Sequence, residues 1–220
     1  MGALRSITNA FGQLRLDVRT VARSFTQNRP PVFVRRAPTT AAPTRSVRRM
    51  KVESIVRETV DAVSITLADP TGAAVHHLPG QFFTLAVRVG EKIVRRNYSA
   101  SSAPASLPSV TFTVKRVANG ELSAHLVDQL RVGDAIDVEG PSGHFTVRPN
   151  ANTSRSILLI GGGSGITPLM SIARSVLSAE KGSKVALVYG NRRESDVIFH
   201  RALHALESEH ADRFRIAHVL

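Results

Sequence analysis

Two short stretches of the sequence hold residues whose types and spacing suit the binding of phosphates and flat rings. In Arg95-Arg96-Asn97-Tyr98-Ser99-Ala100, an extended backbone puts Arg96 and Tyr98 on one face and Ser99 on the other. A guanidinium so placed can fork two hydrogen bonds onto a phosphate, and the tyrosine offers a ring for stacking. The same residues also suit an edge strand with two solvated arginines and a half-buried tyrosine. Further along, Gly161-Gly162-Gly163-Ser164-Gly165-Ile166-Thr167-Pro168 follows the apolar run Ser156-Ile157-Leu158-Leu159-Ile160. A glycine loop between a strand and a helix lets phosphates approach bare backbone N–H groups and the positive end of the helix dipole. An ordinary strand-to-helix turn has the same look. The loop is not the dinucleotide fingerprint with glycines at places one, three and six: counting from Gly161 the sixth place is Ile166, and from Gly163 it is Pro168.

The elements that must carry these residues fall into two groups. Short β-branched segments at 52–57, 62–68, 81–89, 93–100, 110–117 and 135–139 alternate with turn signals such as Pro79-Gly80, Asn119-Gly120 and Gly140-Pro141. Such spacing predicts an antiparallel barrel or sandwich. One helix is expected within it over 124–130, with Ser123 as its N-cap. After residue 150 the pattern changes to strand 156–160, helix 168–179, strand 184–190, helix 195–210 and strand 214–220. That alternation predicts a parallel sheet with right-handed crossovers. Asn191 and Arg192, and no acid, stand at the end of its second strand. An acid would suit a free ribose hydroxyl, whereas an arginine can meet a 2′-phosphate. A solvated arginine is equally ordinary there.

The chain has 220 residues, 29 Lys+Arg against 17 Asp+Glu, and no cysteine. Zero cysteine excludes disulfides, thiolate nucleophiles and Cys-ligated zinc or iron–sulfur clusters within these residues. Most of the +12 charge belongs to a tail: residues 1–50 hold ten arginines and a single acid, Asp17, which leaves the remaining 170 residues at only +3. A nearly balanced body argues against a nucleic-acid partner. Leu4, Ile7, Phe11, Leu14, Val18, Val21 and Phe25 form a helical stripe. It suits peripheral membrane contact through residues 1–28, a partner's groove, packing on the body, or a targeting presequence. Residues 29–49 read as a Pro/Arg-rich linker. No apolar run approaches the roughly 20 residues of a membrane span, and a cytoplasmic location is expected. His200 and His204 are four apart but lack an evident third ligand, so no metal site is expected.

Taken in order, Pro79-Gly80-Gln81-Phe82, the Arg96–Ser99 stretch, Val114-Lys115-Arg116, Gly120-Glu121-Leu122-Ser123 and Gly140-Pro141-Ser142-Gly143-His144-Phe145 resemble the flavin domain of the ferredoxin–NADP reductase superfamily. Within it, the chain is most similar to bacterial oxygenase and hydroxylase reductases of the phenylacetyl-CoA epoxidase and ketosteroid hydroxylase type. The glycine loop, about 60 residues downstream, is similar to the nicotinamide-domain motif of the same superfamily. The resemblance implies a six-stranded antiparallel Greek-key barrel for FAD at 50–150, followed by an incomplete parallel doubly wound NAD(P) domain at 151–220. Arg96 would grip the flavin phosphates, Tyr98 would stack on the isoalloxazine, and Ser99 would hydrogen-bond near N5. Asn97, Val114, Lys115, Arg116 and Leu122 would lie along the FAD, and Gly120 and Ser123 would cradle its pyrophosphate. On the other side, Gly162, Gly163, Gly165, Pro168, Asn191 and Arg192 would bind NAD(P)H. Thr167 would sit where nicotinamide meets flavin, which makes Ser99 and Thr167 the two residues beside the reacting rings.

The expected function is transfer of hydride from NAD(P)H to FAD. Electrons would then pass to a ferredoxin-type centre or to an oxygenase, hydroxylase or desaturase partner. NADPH is modestly preferred over NADH. Many members of the resembled family carry a [2Fe–2S] cluster, for which this chain has no ligands. The sequence ends inside the third parallel strand, whereas a doubly wound domain continues further. That suggests a fragment or a chain completed by a second polypeptide, with an unpaired edge on the strand at Ser156. The alternatives are an FAD-binding fragment without full activity, and a protein that docks on a membrane or partner through its tail.

Overall fold

A computed structural model describes residues 47–105 and 107–220. The amphipathic stripe at 4–25 and the linker that follows it lie outside the described residues.

Six strands form one antiparallel sheet: β1 (Val47–Thr59), β2 (Ala62–Ala68), β3 (Phe82–Val89), β4 (Lys92–Ser99), β5 (Ser109–Lys115) and β6 (Ala135–Ser142). Their order is β4-β3-β6-β1-β2-β5. The two outer strands meet through the Ala100–Phe112 bridge and the Ser101 amide, which donates to the Thr111 carbonyl at 2.8 Å. This closes the sheet into a Greek-key barrel. Alternation does the rest: Ile65, Leu67, Leu85, Phe112, Val114, Ile136 and Val138 all point inward and are buried. The Phe83 and Phe112 rings meet edge to face with centroids 5.5 Å apart. Helix α1 (Glu121–Asp128) packs Leu122 and Leu126 into the same core.

The remaining elements are β7 (Ser156–Gly162), α2 (Ile166–Ala179), β8 (Lys184–Gly190), α3 (His200–Glu209) and β9 (Phe214–Val219). The three strands are parallel in the order β7-β8-β9, so β7 is an edge strand. Leu159, Val185, Leu187, Tyr189 and Phe214 are buried in one core with residues of α2 and α3. Ile160 on β7 is 68% exposed.

Two expected helix starts are corrected. Helix α1 begins at Glu121 with Gly120 as its N-cap, not at Ala124 with Ser123. The Ser123 hydroxyl turns back instead: it accepts from the Val117 amide at 3.1 Å and donates to the Gly120 carbonyl at 3.3 Å. Helix α3 begins at His200 and not at Ser195, because a 3-10 turn (Glu194–Asp196) and Phe199 in left-handed backbone (φ 64) precede it.

Candidate functional site

The strand β4 carries the first group of expected residues. Arg96 is exposed, and among the described residues its Nη1 donates only to the neighbouring Arg95 carbonyl at 2.7 Å. Tyr98 is half-buried and packs against the barrel core. Burial pushes its phenol above the ordinary value of 10, against the opposing pull of the nearby Arg96 cation. The Asn97 amide oxygen accepts from Thr84 Oγ1 at 2.9 Å. Ser99 ends the strand opposite Phe82. Register puts Arg96 and Tyr98 on one side of β4, as alternation requires.

At the far end of β5 the loop into α1 frames a cavity of about 390 Å³, lined by Asp61, Arg116, Val117, Asn119, Gly120 and Ala124 among others. Gly120 is packed too closely onto its own loop for any side chain: a Cβ there would lie 2.5 Å from Ser123 Oγ and 3.0 Å from the Val117 Cβ. Its neighbours Lys115 and Arg116 pair with Asp61 (3.4 Å) and Asp128 (3.1 Å). Val114 and Leu122 are buried in the core, so only their backbone can face a ligand.

The glycine loop forms the second half. After β7 it runs as a 3-10 turn (Gly163–Gly165) directly into α2. A Cβ added at Gly163 or Gly165 would meet nothing within 4 Å, so the backbone here fronts open space. Gly163 has φ +51, which disfavours any other residue. Gly161, by contrast, closes on Leu169 Cδ1, where a Cβ would come to 2.7 Å. Thr167 is buried and donates its hydroxyl proton to the Ser164 carbonyl at 2.7 Å. Pro168 falls in the first turn, where its missing N–H leaves no bond unmade. Asn191 follows β8, with its backbone amide on the Val219 carbonyl at 2.8 Å. Both polar atoms of its side-chain amide are buried and find no partner at hydrogen-bond distance, only a looser contact with the Tyr189 hydroxyl. Arg192 is exposed. Bare glycine backbone beside an orphaned buried amide suits a polar nucleotide. Gly163→Val should therefore weaken NAD(P)H binding at least tenfold and leave FAD binding unchanged, as read by parallel titrations.

The structure joins the two halves through residues that no sequence pattern singled out. Ser171 on α2 donates to the Ser102 carbonyl at 2.7 Å, and Arg174 Nη1 reaches the Ser101 carbonyl at 3.4 Å. Helix α2 therefore grips the chain just past Ser99 while its own first turn carries Thr167. Ile172 Cδ1 packs against the Pro79-Gly80 turn, 3.2 Å from where a Gly80 Cβ would stand. Under the glycine loop, the Tyr189 hydroxyl donates to the Gly163 carbonyl at 2.9 Å, and burial pushes its pKa up to about 12. These are ordinary serines, an arginine and a tyrosine in sequence, and only the fold gives them a shared junction.

The two histidines expected to lack a third ligand, His200 and His204, meet edge to face on α3 with ring centroids 5.0 Å apart. Among the described residues no cluster of three or more His, Asp or Glu could hold a metal ion. No helix there is long and apolar enough to cross a membrane.

Comparison with known proteins agrees with this arrangement. The oxidoreductase FAD-binding domain family matches residues 49–147, and the oxidoreductase NAD-binding domain family matches residues 159–220. The chain is 41% identical over 182 residues to the ferredoxin reductase component of 3-ketosteroid-9-alpha-monooxygenase from Mycolicibacterium smegmatis, covering 79% of this chain and 50% of that protein. It is 36% identical to one of the subunits of 1,2-phenylacetyl-CoA epoxidase from Escherichia coli, over 76% of this chain and 46% of that one. Among solved structures, phthalate dioxygenase reductase superposes with a TM-score of 0.66 at 30% identity, covering 78% of this chain and 51% of the other. The FAD/NAD-binding domain of a nitric oxide dioxygenase from Vibrio cholerae shares the fold, with a TM-score of 0.71 at 23% identity over 78% of this chain and 73% of that one. The chain spans about half the length of the curated relatives it matches. Its antiparallel barrel, its glycine-looped parallel sheet and these matches make it a member of the ferredoxin reductase family, with an FAD-binding and an NAD-binding oxidoreductase domain.

Proposed function

We propose that this chain is a flavin-dependent NAD(P)H oxidoreductase, with FAD held by residues 50–150 and the nicotinamide nucleotide by residues 151–220. The observation that carries this reading is the grip of α2 on Ser101 and Ser102, which ties the helix bearing Thr167 to the strand end bearing Ser99. FAD, when bound, supplies acceptance of a hydride at N5 and release of electrons one at a time.

The protein's part is to bind and orient. Arg96, free of any carboxylate among the described residues, offers its guanidinium to the flavin phosphates. The first turn of α1, from Glu121 to Ser123, offers its backbone N–H groups to the pyrophosphate, while the Gly120 amide is already given to the Val117 carbonyl at 2.9 Å. Tyr98 presents a ring, and burial pushes its phenol above the ordinary value of 10. Ser99 supplies a hydroxyl at the strand end. Thr167 has already given its proton to Ser164, so toward a ligand its oxygen acts only as an acceptor, which suits the carboxamide N–H₂ of a nicotinamide. Asn191 and Arg192 would meet the adenosine end of the nucleotide, where an arginine suits a 2′-phosphate. The electron acceptor would be a ferredoxin-type centre or an oxygenase-class component, in keeping with the reductase components among the relatives.

The test is direct. The purified chain should take up FAD and turn yellow, and anaerobic mixing with NADPH or NADH should bleach it. A chain that stays colourless with excess FAD would defeat the proposal.

A further inference from the structure

Glu58 lies near the end of β1, far in sequence from every residue assigned above to a cofactor. Its carboxylate is shared between the two halves of the molecule. Oε2 accepts the backbone amide of Phe199 at 3.2 Å, and Oε1 accepts the Ser64 hydroxyl at 2.5 Å. On the barrel side, Ser64 Oγ is 2.9 Å from Thr113 Oγ1, which is 3.0 Å from Ser101 Oγ. Ser101 stands two residues past Ser99. On the sheet side, Phe199 follows Ile198, whose amide donates to the Tyr189 hydroxyl at 3.3 Å, and that hydroxyl donates to the Gly163 carbonyl. A run of polar contacts thus leads from the glycine loop to the segment behind the flavin-side strand, and Glu58 is its charged centre.

Phe199 shows why the contact matters. Its backbone is left-handed (φ 64) although it bears a large side chain, and its ring is 4% exposed. A bulky residue keeps that conformation only where its surroundings over-determine it. The Glu58 carboxylate supplies one fixed point and burial of the ring supplies the other. The Glu58 charge also acts on the half-buried Arg174, the residue that reaches the Ser101 carbonyl. Removing the carboxylate frees the Phe199 amide and takes away an acceptor and a charge at the same junction.

We infer that Glu58 is a positioning residue for hydride transfer: it holds the glycine loop and Thr167 in register with Tyr98 and Ser99 while touching neither cofactor. The inference rests on the NAD(P)H-to-flavin reading above. A displacement of about 1 Å between reacting groups can cost on the order of a hundredfold in rate, so a small slip between the halves is enough.

The experiment uses the FAD-loaded full chain with Glu58→Ala and Glu58→Gln, mixed anaerobically with NADPH. Glu58→Ala should bind FAD and oxidised nucleotide within about threefold of the parent. Its limiting rate of flavin bleaching should fall about ten- to hundredfold, with a weaker long-wavelength charge-transfer band. Glu58→Gln should recover most of the rate, because its amide oxygen still accepts from Phe199 and its N–H₂ donates to Ser64. Bleaching of Glu58→Ala at the parent rate would overturn the inference, and so would failure of glutamine to rescue a slow alanine variant. Should the parent chain hold FAD yet never bleach, the functional reading falls by itself. Amide exchange at Ile198 and Phe199 then decides the role of Glu58: faster exchange there in Glu58→Ala, with the barrel strands unchanged, supports the coupling, and equal exchange overturns it.

Discussion

Arg96→Ala should weaken FAD binding about ten- to hundredfold while the melting curve of the flavin-free protein stays where it was. A charge-assisted hydrogen bond contributes about 1.5–3 kcal/mol, and each 1.4 kcal/mol is about a decade in affinity. The second half of the expectation comes from what Arg96 does without ligand, which is very little. It is exposed, it sits on an edge strand of the sheet, and among the described residues its side-chain bond is to its neighbour's carbonyl. Surface changes of that kind stay within about 0.5 kcal/mol. Lys115 and Arg116 make the contrast, because Asp61 and Asp128 hold them, so alanine there removes an ion pair as well. Flavin fluorescence titration and a thermal melt on the same preparation separate affinity from stability. Unchanged affinity would remove Arg96 from the site.

Glu180→Ala should lower stability by about 2–4 kcal/mol. The Glu180 side chain is fully buried beyond the end of α2. It accepts from Arg155 Nη2 (2.6 Å) and Nε (3.1 Å), from Ser183 Oγ (2.6 Å) and from the Asn150 amide (3.2 Å). Alanine leaves those donors facing a hole. The figure reaches below the roughly 3–5 kcal/mol of a fully buried broken pair, because Arg155 is 37% exposed and water can reach it. Burial alone would raise the carboxyl pKa, but the Ser183 hydroxyl, Arg155 and the Asn150 amide together hold it below the ordinary 4.5. A lowered folded-state pKa means that the contribution is complete above about pH 4.5 and is lost as pH falls through the folded value. Urea midpoints for the parent and Glu180→Ala should therefore lie far apart at pH 7 and converge in acid. A constant gap would show that ionisation of Glu180 plays no part.

Local patterns reached the elements and stopped at their junctions. β-branched runs between glycine and proline turns located all six barrel strands, and 62–68 and 184–190 match β2 and β8 residue for residue. Helix starts were less legible because capping depends on where side chains turn. Ser123 has the right chemistry for an N-cap, yet its hydroxyl closes the 117–120 loop and leaves the cap to Gly120. Helix α3 starts five residues late, after a 3-10 turn and a left-handed Phe199 whose amide donates to a carboxylate 141 positions away. No window of neighbouring residues contains that information. The glycine loop and the Arg96–Ser99 stretch were visible because each concentrates unusual residue types in one place. Glu58, Ser171 and Arg174 were not, since their roles exist only across the boundary between barrel and sheet, and Tyr189 was not because its partners Gly163 and Ile198 are brought to it by the fold.

The protein has no tryptophan and two tyrosines, and the fold puts one in each half. Tyr98 stands on the barrel strand, while Tyr189 lies under the glycine loop. Intrinsic ultraviolet emission is therefore a two-site signal with a known address for each component. Tyr98→Phe leaves an emitter that watches the nucleotide side alone, and Tyr189→Phe leaves one that watches the flavin side. Quenching by an added flavin should fall mainly on the Tyr98 component. The chain thus carries its own optical reporter for which half a ligand has entered, with no label attached.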